Sequence, residues 1–162
     1  MTTTPSAPAK KKATFNTLTV SEVRALTEDS VEVSFAIPPE LQDDYDYIPG
    51  QYVALRATID GQEVRRSYSI CDVPRDGVLR VAIKRDRGGV FSTWANDTLQ
   101  PGDTMDVMNP QGAFTSKTHL TGLNNPEAVR EELEKLENPH LVAIAAGSGI
   151  TPIMAIAQTV LH

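Results

Sequence analysis

The segment Gln51–Cys71, with the sequence QYVALRATIDGQEVRRSYSIC, decides the fold of this chain. Asp60-Gly61 lies near its centre, and this dipeptide strongly favours a tight turn between two antiparallel strands. The turn separates Gln51–Ile59 from Val64–Cys71. These two stretches are therefore predicted to pair as a β-hairpin.

Further short strands are predicted on both sides of the hairpin. Residues 31–37 and 79–84 alternate between more and less apolar side chains, and a period of two indicates a strand with one buried face. A turn at Pro101-Gly102-Asp103 precedes another short strand at residues 105–107. Strands at this spacing predict an antiparallel barrel or sandwich, with one short helix at residues 91–99 inserted between two strands.

A different pattern begins after the barrel. A helix is predicted within residues 125–136, where a cap and an apolar stripe are present. Leu141–Ala146 is a continuous apolar run, which is typical of a strand buried on both faces of a parallel sheet. A last helix is predicted at Ile153–Leu161, with Thr151 as its cap and Pro152 as its first residue. One β–α unit cannot bury its own apolar face, so the chain is expected to be a fragment of a longer protein.

These patterns divide the chain into four parts. Residues 1–12 have no apolar core, which predicts a mobile tail rather than a secretory signal. Residues 13–115 form the predicted barrel, residues 116–139 a linker with a helix, and residues 140–162 the incomplete start of an α/β domain. No apolar run approaches the roughly 20 residues that cross a bilayer, so no membrane association is expected.

Composition narrows the classes of function. The net charge is −6, and outside the lysines of the tail it is −9, which disfavours a nucleic-acid binder because such proteins neutralise phosphates with a basic surface. The single cysteine, Cys71, permits no disulfide within the chain and is compatible with a reducing cytoplasm. His119, His140 and His162 show no metal-ligand spacing, so no metal site is expected in this segment.

Two stretches of the predicted barrel carry residues suited to a ligand with a flat ring and phosphates. Along a strand, Arg66 and Tyr68 point to one face, where a guanidinium suits phosphate and a phenol ring can lie on another ring system. An exposed arginine and a half-buried tyrosine on a strand edge would give the same pattern. The second stretch is Lys84–Ser92, in which Gly88-Gly89 lets a backbone approach a ligand closely and the helix start that follows, with Ser92, suits a phosphate. A solvated charged turn is the alternative there.

A third stretch, Gly147-Ser148-Gly149-Ile150-Thr151-Pro152, lies between the predicted buried strand and the last helix. In open α/β sheets this position faces the ligand crevice. The stretch is not the full dinucleotide fingerprint, because Pro152 occupies the place of the third glycine. A simple tight turn is the alternative interpretation.

Taken in order, these motifs resemble the ferredoxin–NADP reductase superfamily of FAD-dependent reductases. The resemblance runs from about Thr14 to the C-terminus, and its closest form is found among the reductases of phenylacetyl-CoA oxygenase (epoxidase) systems. It implies a six-stranded antiparallel Greek-key FAD-binding barrel with one short helix, followed by the first β–α unit of a nicotinamide-binding domain. The motifs that carry it are Pro49-Gly50-Gln51-Tyr52, Arg66-Ser67-Tyr68-Ser69, Gly89-Val90-Phe91-Ser92, Leu99-Gln100-Pro101-Gly102-Asp103, Gly112-Ala113-Phe114 and Gly147 to Pro152.

The resemblance also implies roles for individual residues. Arg66 would pair with the FAD pyrophosphate, and it is preferred to its neighbour Arg65 because it keeps the Arg-x-Tyr-Ser spacing. The implied catalytic residues are Tyr68, which would stack on the isoalloxazine, Ser69, near its reactive nitrogen, and Thr151, where the nicotinamide approaches. The residues implied to hold FAD are Arg66, Tyr68, Ser69, Ile83, Lys84, Gly89, Val90, Phe91, Ser92 and Thr151. Those implied on the nicotinamide side are Gly147, Gly149 and Thr151.

The implied function is an NAD(P)H-dependent flavin oxidoreductase. It would pass electrons from NAD(P)H through FAD to an iron–sulfur centre and an oxygenase component, as in phenylacetate degradation. The two-iron two-sulfur cluster would lie in a part absent from this chain, and this chain alone is expected to bind FAD with little turnover. The alternatives are a reductase serving another electron acceptor and a barrel that acts as a non-catalytic binding module.

Overall fold

The computed structural model describes residues 11–74, 77–114, 134 and 142–161. Its strands are β1 (Phe15–Thr27), β2 (Ser30–Ala36), β3 (Tyr52–Ile59), β4 (Gln62–Ser69), β5 (Val78–Lys84) and β6 (Thr104–Met108). Its helices are α1 (Gln42–Tyr45), α2 (Val90–Asp97) and α3 (Ile150–Leu161), with 3₁₀ turns at Pro39–Leu41 and Gly147–Gly149.

The six strands form one antiparallel sheet in the order β4-β3-β6-β1-β2-β5. The sheet curls until its two edge strands approach each other just beyond the end of β4. There Ile70 and Val81 form an isolated bridge, and the amide of Cys71 donates to the carbonyl of Arg80 at 3.1 Å. The predicted antiparallel barrel with one inserted helix is thereby confirmed, and the inserted helix is α2.

The β3–β4 hairpin forms as its turn residues predict. Asp60 and Gly61 have φ of 51° and 76°, and two successive positive φ angles match the twist of antiparallel strands. The register pairs Leu55 with Arg66 and Val53 with Tyr68. Because opposed residues in an antiparallel pair share one face, Arg66 and Tyr68 lie on the inner face of the sheet with buried Val53 and Leu55.

The core lies inside the curled sheet and is closed by α2. On β5 every second side chain is buried, as the alternation predicts, and β2 buries Val31, Val33 and Phe35 together with Ser34. Helix α2 contributes Phe91, which is 1% exposed, and Ala95, which is fully buried, to the same apolar cluster. Helix α2 is thereby fixed against the inner face next to β4 and β5, which positions its N-terminus.

Strand β1 has no clear signal in the sequence pattern. It is thirteen residues long, yet of its residues only Leu18 and Val20 are buried. Its pairing with β2 shifts register between Val20 and Glu22 and again between Ala25 and Thr27. Such bulges bend a strand and interrupt the alternation that would otherwise reveal it.

Two glycines hold the end of the barrel beside β3 together. Gly50 has φ of 99°, and a Cβ placed on it would lie 1.7 Å from the carbonyl oxygen of Phe114. Gly112 has φ of 107°, and its Cβ would lie 2.9 Å from the ring of Tyr52. The Pro-Gly-Gln-Tyr and Gly-Ala-Phe motifs therefore approach each other so closely that only glycine fits at these two positions.

The region after the barrel differs from the sequence-based expectation. The predicted buried strand at Leu141–Ala146 is wrong, because residues 142–146 form no strand, and Val142 and Ile144 are 86% and 89% exposed. An apolar run becomes a buried strand only where neighbouring strands satisfy its backbone groups, and no described strand lies beside this run. The predicted linker helix within residues 125–136 falls, except for Glu134, outside the described residues.

Helix α3 is present but begins earlier than predicted. It starts at Ile150, so Thr151 and Pro152 lie within its first turn rather than at its cap and first position. The helix contacts the barrel at Gly50, where a Cβ would lie 3.4 Å from Cδ1 of Ile156. It is the longest helix in the described part of the chain, and its 12 residues fall short of the roughly 20 that cross a bilayer.

Candidate functional site

Arg65 and Arg66 occupy opposite faces of β4. The guanidinium of Arg65 lies 5.1 Å from the ring centroid of Phe15, and its Nη2 is 3.5 Å from the sulfur of Met108. Arg66 shares the inner face with Tyr68, and its Nη1 donates to the carbonyl of Arg65 at 2.7 Å. Arg65 is thus engaged on the outer face, and Arg66 presents its remaining donors at the open edge of the barrel.

Five cations of the described barrel are paired with carboxylates, whereas Arg65, Arg66 and Arg87 have no such pair among the described residues. The paired side chains are Arg24 with Glu32, Arg56 with Asp106, Arg80 with Asp72, Lys84 with Asp29 and Arg85 with Asp97. Within the described residues Arg66 has no acidic partner, and its side chain is exposed. A guanidinium without a carboxylate partner is free to bind an external anion in bidentate fashion.

Tyr68 begins a row of three aromatic rings. Its ring centroid lies 5.9 Å from that of Phe91, and the Phe91 centroid lies 5.6 Å from that of Trp94. Burial and, to a smaller extent, the Asp86 carboxylate raise the pKa of Tyr68 to about 12 against the opposing effect of the Arg66 guanidinium. The phenol is therefore neutral at ordinary pH and offers one ring face at the mouth of the barrel.

The loop between β5 and α2 ends at a helix N-terminus that lacks a side-chain cap. Gly89 is the N-cap residue of α2, and no acidic residue lies in the first turn. A Cβ on Gly89 would lie 2.6 Å from Oγ of Ser92, so the loop turns tightly at this point. The uncapped amides and the positive end of the helix dipole together suit a phosphate group.

Several side chains of α2 bind the loop itself. Ser92 is buried, and its Oγ accepts from the amide of Asp86 at 3.0 Å and donates to the carbonyl of Gly89 at 3.4 Å. Asn96 donates to the carbonyl of Ile83 at 3.3 Å, and Asp97 pairs with Arg85. The hydroxyl of Ser92 thus shapes the loop, and its predicted contact with a phosphate stays a prediction.

We call Arg66, Tyr68 and the N-terminus of α2 the rim of the barrel. Most of the other residues predicted to contact FAD lie on β4, β5 and α2 around this rim. Ile83 is fully buried in the core and Phe91 supports Tyr68, while Val90 is exposed at the start of α2. The Nζ of Lys84 lies 3.4 Å from the carboxylate of Asp29, which engages its side chain in an ion pair. Ser69 ends β4 opposite Tyr52.

The predicted nicotinamide-side residues lie at and just before the start of α3. Gly147 is exposed in the 3₁₀ turn before α3, Gly149 is half-buried, and Thr151 is half-buried in the first helical turn. Helix α3 approaches the barrel at Gly50. This glycine lies next to the start of β3, which pairs with Ser69. The roles of Gly147, Gly149 and Thr151 stay predictions.

Sequence reasoning included Arg85 and Asp86 in the stretch Lys84–Ser92 but gave them no role, and it assigned none to Asn96 or Asp97. The Asp86 carboxylate raises the pKa of the Tyr68 hydroxyl. Arg85, Asn96 and Asp97 hold the loop in place through side-chain hydrogen bonds. One signal was available for Asp97. A carboxylate at the C-terminal end of a helix opposes the helix dipole, and such a residue calls for a compensating partner.

Cys71 lies just beyond the end of β4 and is half-buried. Burial raises the pKa of the Cys71 thiol to about 12, with smaller contributions from Glu32 and Asp72. A thiol in that state is a poor nucleophile at neutral pH. Within the described residues no group of three or more His, Cys, Asp or Glu side chains is arranged to hold a metal ion.

Comparison with known proteins agrees with this geometry. Residues 17–116 match the family described as the oxidoreductase FAD-binding domain. The chain belongs to this family. The match covers β1 to β6 almost completely and includes the whole loop before α2. The sequence-based resemblance to the ferredoxin–NADP reductase superfamily is thereby confirmed.

Individual FAD-domain relatives extend the comparison. One subunit of 1,2-phenylacetyl-CoA epoxidase from Escherichia coli strain K12 is 43% identical over 149 residues, covering 92% of this chain and 38% of the relative. The ferredoxin reductase component of 3-ketosteroid-9-alpha-monooxygenase from Rhodococcus rhodochrous is 36% identical over 146 residues, covering 89% of this chain and 36% of the relative.

A solved structure shows the same architecture. The Amycolatopsis cytochrome P450 reductase GcoB superposes with a TM-score of 0.68 at 28% identity, over 92% of this chain and 39% of that one. The FAD-domain chain described here therefore spans less than two-fifths of the length of each of these relatives.

Proposed function

We propose that this chain forms the FAD-binding part of an NAD(P)H-dependent electron-transfer reductase. The observation that carries the proposal is the placement of Arg66 and Tyr68 on one face of β4, next to the helix α2 that carries an uncapped N-terminus. A guanidinium and helix amides suit a diphosphate, and a neutral phenol ring suits the flat ring system of a flavin. FAD contains both parts.

The residues of the rim would divide the work between the two halves of FAD. Arg66 and the α2 N-terminus would bind the diphosphate, with Gly89 allowing the backbone to approach it closely. Tyr68, supported from behind by Phe91, would lie against the isoalloxazine, and Ser69 at the strand end would donate a hydrogen bond to it. When bound, the flavin supplies the capacity to accept a hydride and to release electrons.

The wider function belongs to a longer protein than this chain. By analogy with the epoxidase component and the monooxygenase reductase component, the full protein would take electrons from NAD(P)H and deliver them to an oxygenase component. An iron–sulfur centre beyond this chain would be the first acceptor, and phenylacetyl-CoA oxidation is the favoured system because that relative has 43% identity. Turnover with a nicotinamide needs a fuller α/β sheet than the described residues provide.

Binding of FAD is the first test. The purified chain is incubated with FAD, passed through gel filtration, and examined for the visible flavin absorbance in the protein peak. We expect the chain to retain FAD and the double variant Arg66→Ala/Tyr68→Ala to lose it while keeping a native circular dichroism spectrum. A folded wild-type chain that carries no flavin would contradict the proposal.

Reduction by the nicotinamide is the second test. NADH or NADPH is added anaerobically to the FAD-loaded chain, and the visible flavin band is followed. We expect slow bleaching that is no faster than that of free FAD mixed with the same nucleotide. Rapid bleaching would show that the α3 region suffices for productive nicotinamide binding and would contradict the expected inactivity of this chain alone.

A further inference from the structure

The ion pair between Arg85 and Asp97 includes a carboxylate at an unfavourable position in its helix. Asp97 is the last residue of α2, and no basic residue lies in the last turn. A carboxylate at this end opposes the helix dipole, so the position is unfavourable unless a cation compensates it. Arg85 provides that cation with two parallel hydrogen bonds: Nη1 donates to Oδ2 at 2.8 Å, and Nη2 donates to Oδ1.

The pair connects the two ends of the phosphate-binding segment. Arg85 is the first residue after β5, and its amide donates to the carbonyl of Asp29 at 2.7 Å. The loop Asp86–Gly89 follows and leads directly into the uncapped N-terminus of α2. Because Asp97 ends the same helix, the Arg85–Asp97 pair fixes the start of the loop to the body of α2.

Two further contacts make this connection a defined geometry. Ser92 holds the Asp86 amide, and Asn96 holds the carbonyl of Ile83 at the end of β5. Ser92, Asn96 and Asp97 therefore act from one helix on successive parts of the segment that approaches the site. We call Ser92, Asn96 and Asp97, with their bonds to residues 83–86, the loop clamp.

We propose that Asp97 is a positioning residue for the diphosphate of FAD and acts through Arg85. This inference rests on the proposed function and deepens it. The clamp holds Asp86–Gly89 in one conformation, so that the free amides of α2 and the loop meet the diphosphate without a further loss of conformational entropy on binding. Without the pair, the loop has to be ordered by the ligand, and affinity falls.

The proposal separates affinity from stability. The Arg85 and Asp97 side chains are 34% and 51% exposed, and exposed pairs contribute little to the stability of a fold. Removing the pair is thus expected to change the melting temperature little and FAD affinity more. The effect belongs to the diphosphate half of the ligand, so riboflavin, which contains the isoalloxazine but no phosphate, serves as the probe that should not respond.

The test compares variants of the whole chain by flavin titration and thermal melting. Asp97→Asn and Arg85→Gln remove the charge interaction, and Asp97→Glu retains it. Arg24→Gln is the matched control, because the exposed Arg24 forms an arginine–carboxylate pair with Glu32 in which Nη2 and Oε1 are 3.0 Å apart on β1 and β2. Affinities for FAD and for riboflavin are measured with each variant.

We expect Asp97→Asn and Arg85→Gln each to weaken FAD about fivefold to tenfold. The double variant should be no worse than either single variant, because both remove the same interaction. Asp97→Glu should restore most of the affinity, and Arg24→Gln should match the wild type. Riboflavin affinity should stay within about twofold throughout.

Unchanged FAD affinity in both charge-removing variants would overturn the proposal. So would an equal loss of riboflavin and FAD affinity, because that pattern indicates general damage to the barrel. If Asp97→Asn fails to fold, Arg85→Gln gives the same comparison. A wild-type chain that binds neither flavin would instead contradict the proposed function itself, and the two failures are thereby distinguished.

Discussion

Arg65 and Arg66 are neighbours in the chain, yet their guanidinium groups lie on opposite faces of one strand. Arg65 packs on the ring of Phe15 on the outer face. The guanidinium of Arg56 packs on the same ring, 4.3 Å from its centroid. Arg66 lies on the inner face with Tyr68. Alternation along a strand thus assigns two identical side chains to two different tasks.

The division of tasks between the two arginines predicts unequal effects of mutation. Arg66→Ala should weaken FAD by tenfold or more, because a charged hydrogen bond to phosphate contributes about 1.5–3 kcal/mol. Arg65→Ala should change FAD affinity by less than about twofold and lower the melting temperature slightly, since it uncovers Phe15. Fluorescence titration of both variants measures this difference, and equal losses would show that the assignment to Arg66 is wrong.

Gly50→Ala should destabilise the barrel far more than Gly61→Ala. Both glycines have positive φ, which costs a non-glycine residue about 1–2 kcal/mol. Gly61 has open space around a Cβ, whereas a Cβ on Gly50 would meet the Phe114 carbonyl. We therefore expect about 1 kcal/mol for Gly61→Ala and about 3 kcal/mol or more for Gly50→Ala in urea unfolding. Similar values would show that the Phe114 segment can move away freely.

Alkaline titration should reveal the environment of Tyr68. Its folded pKa of about 12 lies above the ordinary value of 10, so the folded state retains this proton where the unfolded state has lost it. The associated stabilisation is complete below pH 10 and is lost as the pH rises through about 12. The tyrosinate absorbance of the wild type minus that of Tyr68→Phe isolates this group. A difference titration centred near pH 10 would contradict the burial of the phenol.

Cys71 should react slowly with thiol reagents in the folded chain. A thiol with a pKa near 12 is almost entirely protonated at pH 8, and only the thiolate attacks. We expect labelling at least about tenfold slower than in guanidinium, where burial no longer raises the thiol pKa, because the smaller thiolate fraction outweighs the higher nucleophilicity of a high-pKa thiolate. The rate of reaction with a disulfide reagent measures this, with Cys71→Ser as the blank. Comparable rates in the two conditions would mean that the thiol is accessible in the native state.

The sequence predicted the barrel because its strands carry local signals that agree with the tertiary structure. The hairpin turn at Asp60-Gly61 and the alternation in β2 and β5 need only neighbouring residues to be recognised. Strand β1 was not recognisable in this way, since its bulges and exposed side chains break the period. It pairs with β2, which follows it directly in the chain, and with β6, which is distant in sequence.

The candidate site was predictable in its chemistry but not in its internal support. Arg66, Tyr68 and Gly89 belong to short motifs, and motif spacing reveals them. The Arg85–Asp97 pair joins residues from two elements, and its existence depends on how α2 lies against β5. The strand predicted at Leu141–Ala146 was wrong for another reason. An apolar run forms a strand only beside a neighbouring strand, and no described strand lies next to this one.

The aromatic row that begins at Tyr68 ends at Trp94, the sole tryptophan of the chain. Indole emission overlaps the near-ultraviolet absorption of flavins. An isoalloxazine stacked on Tyr68 would therefore quench the fluorescence of Trp94 by resonance energy transfer. The intrinsic fluorescence of Trp94 would thus report how much of the site is occupied by flavin. Dye labelling is unnecessary, and the kinetics of loading can be followed in a stopped-flow instrument from the native indole alone.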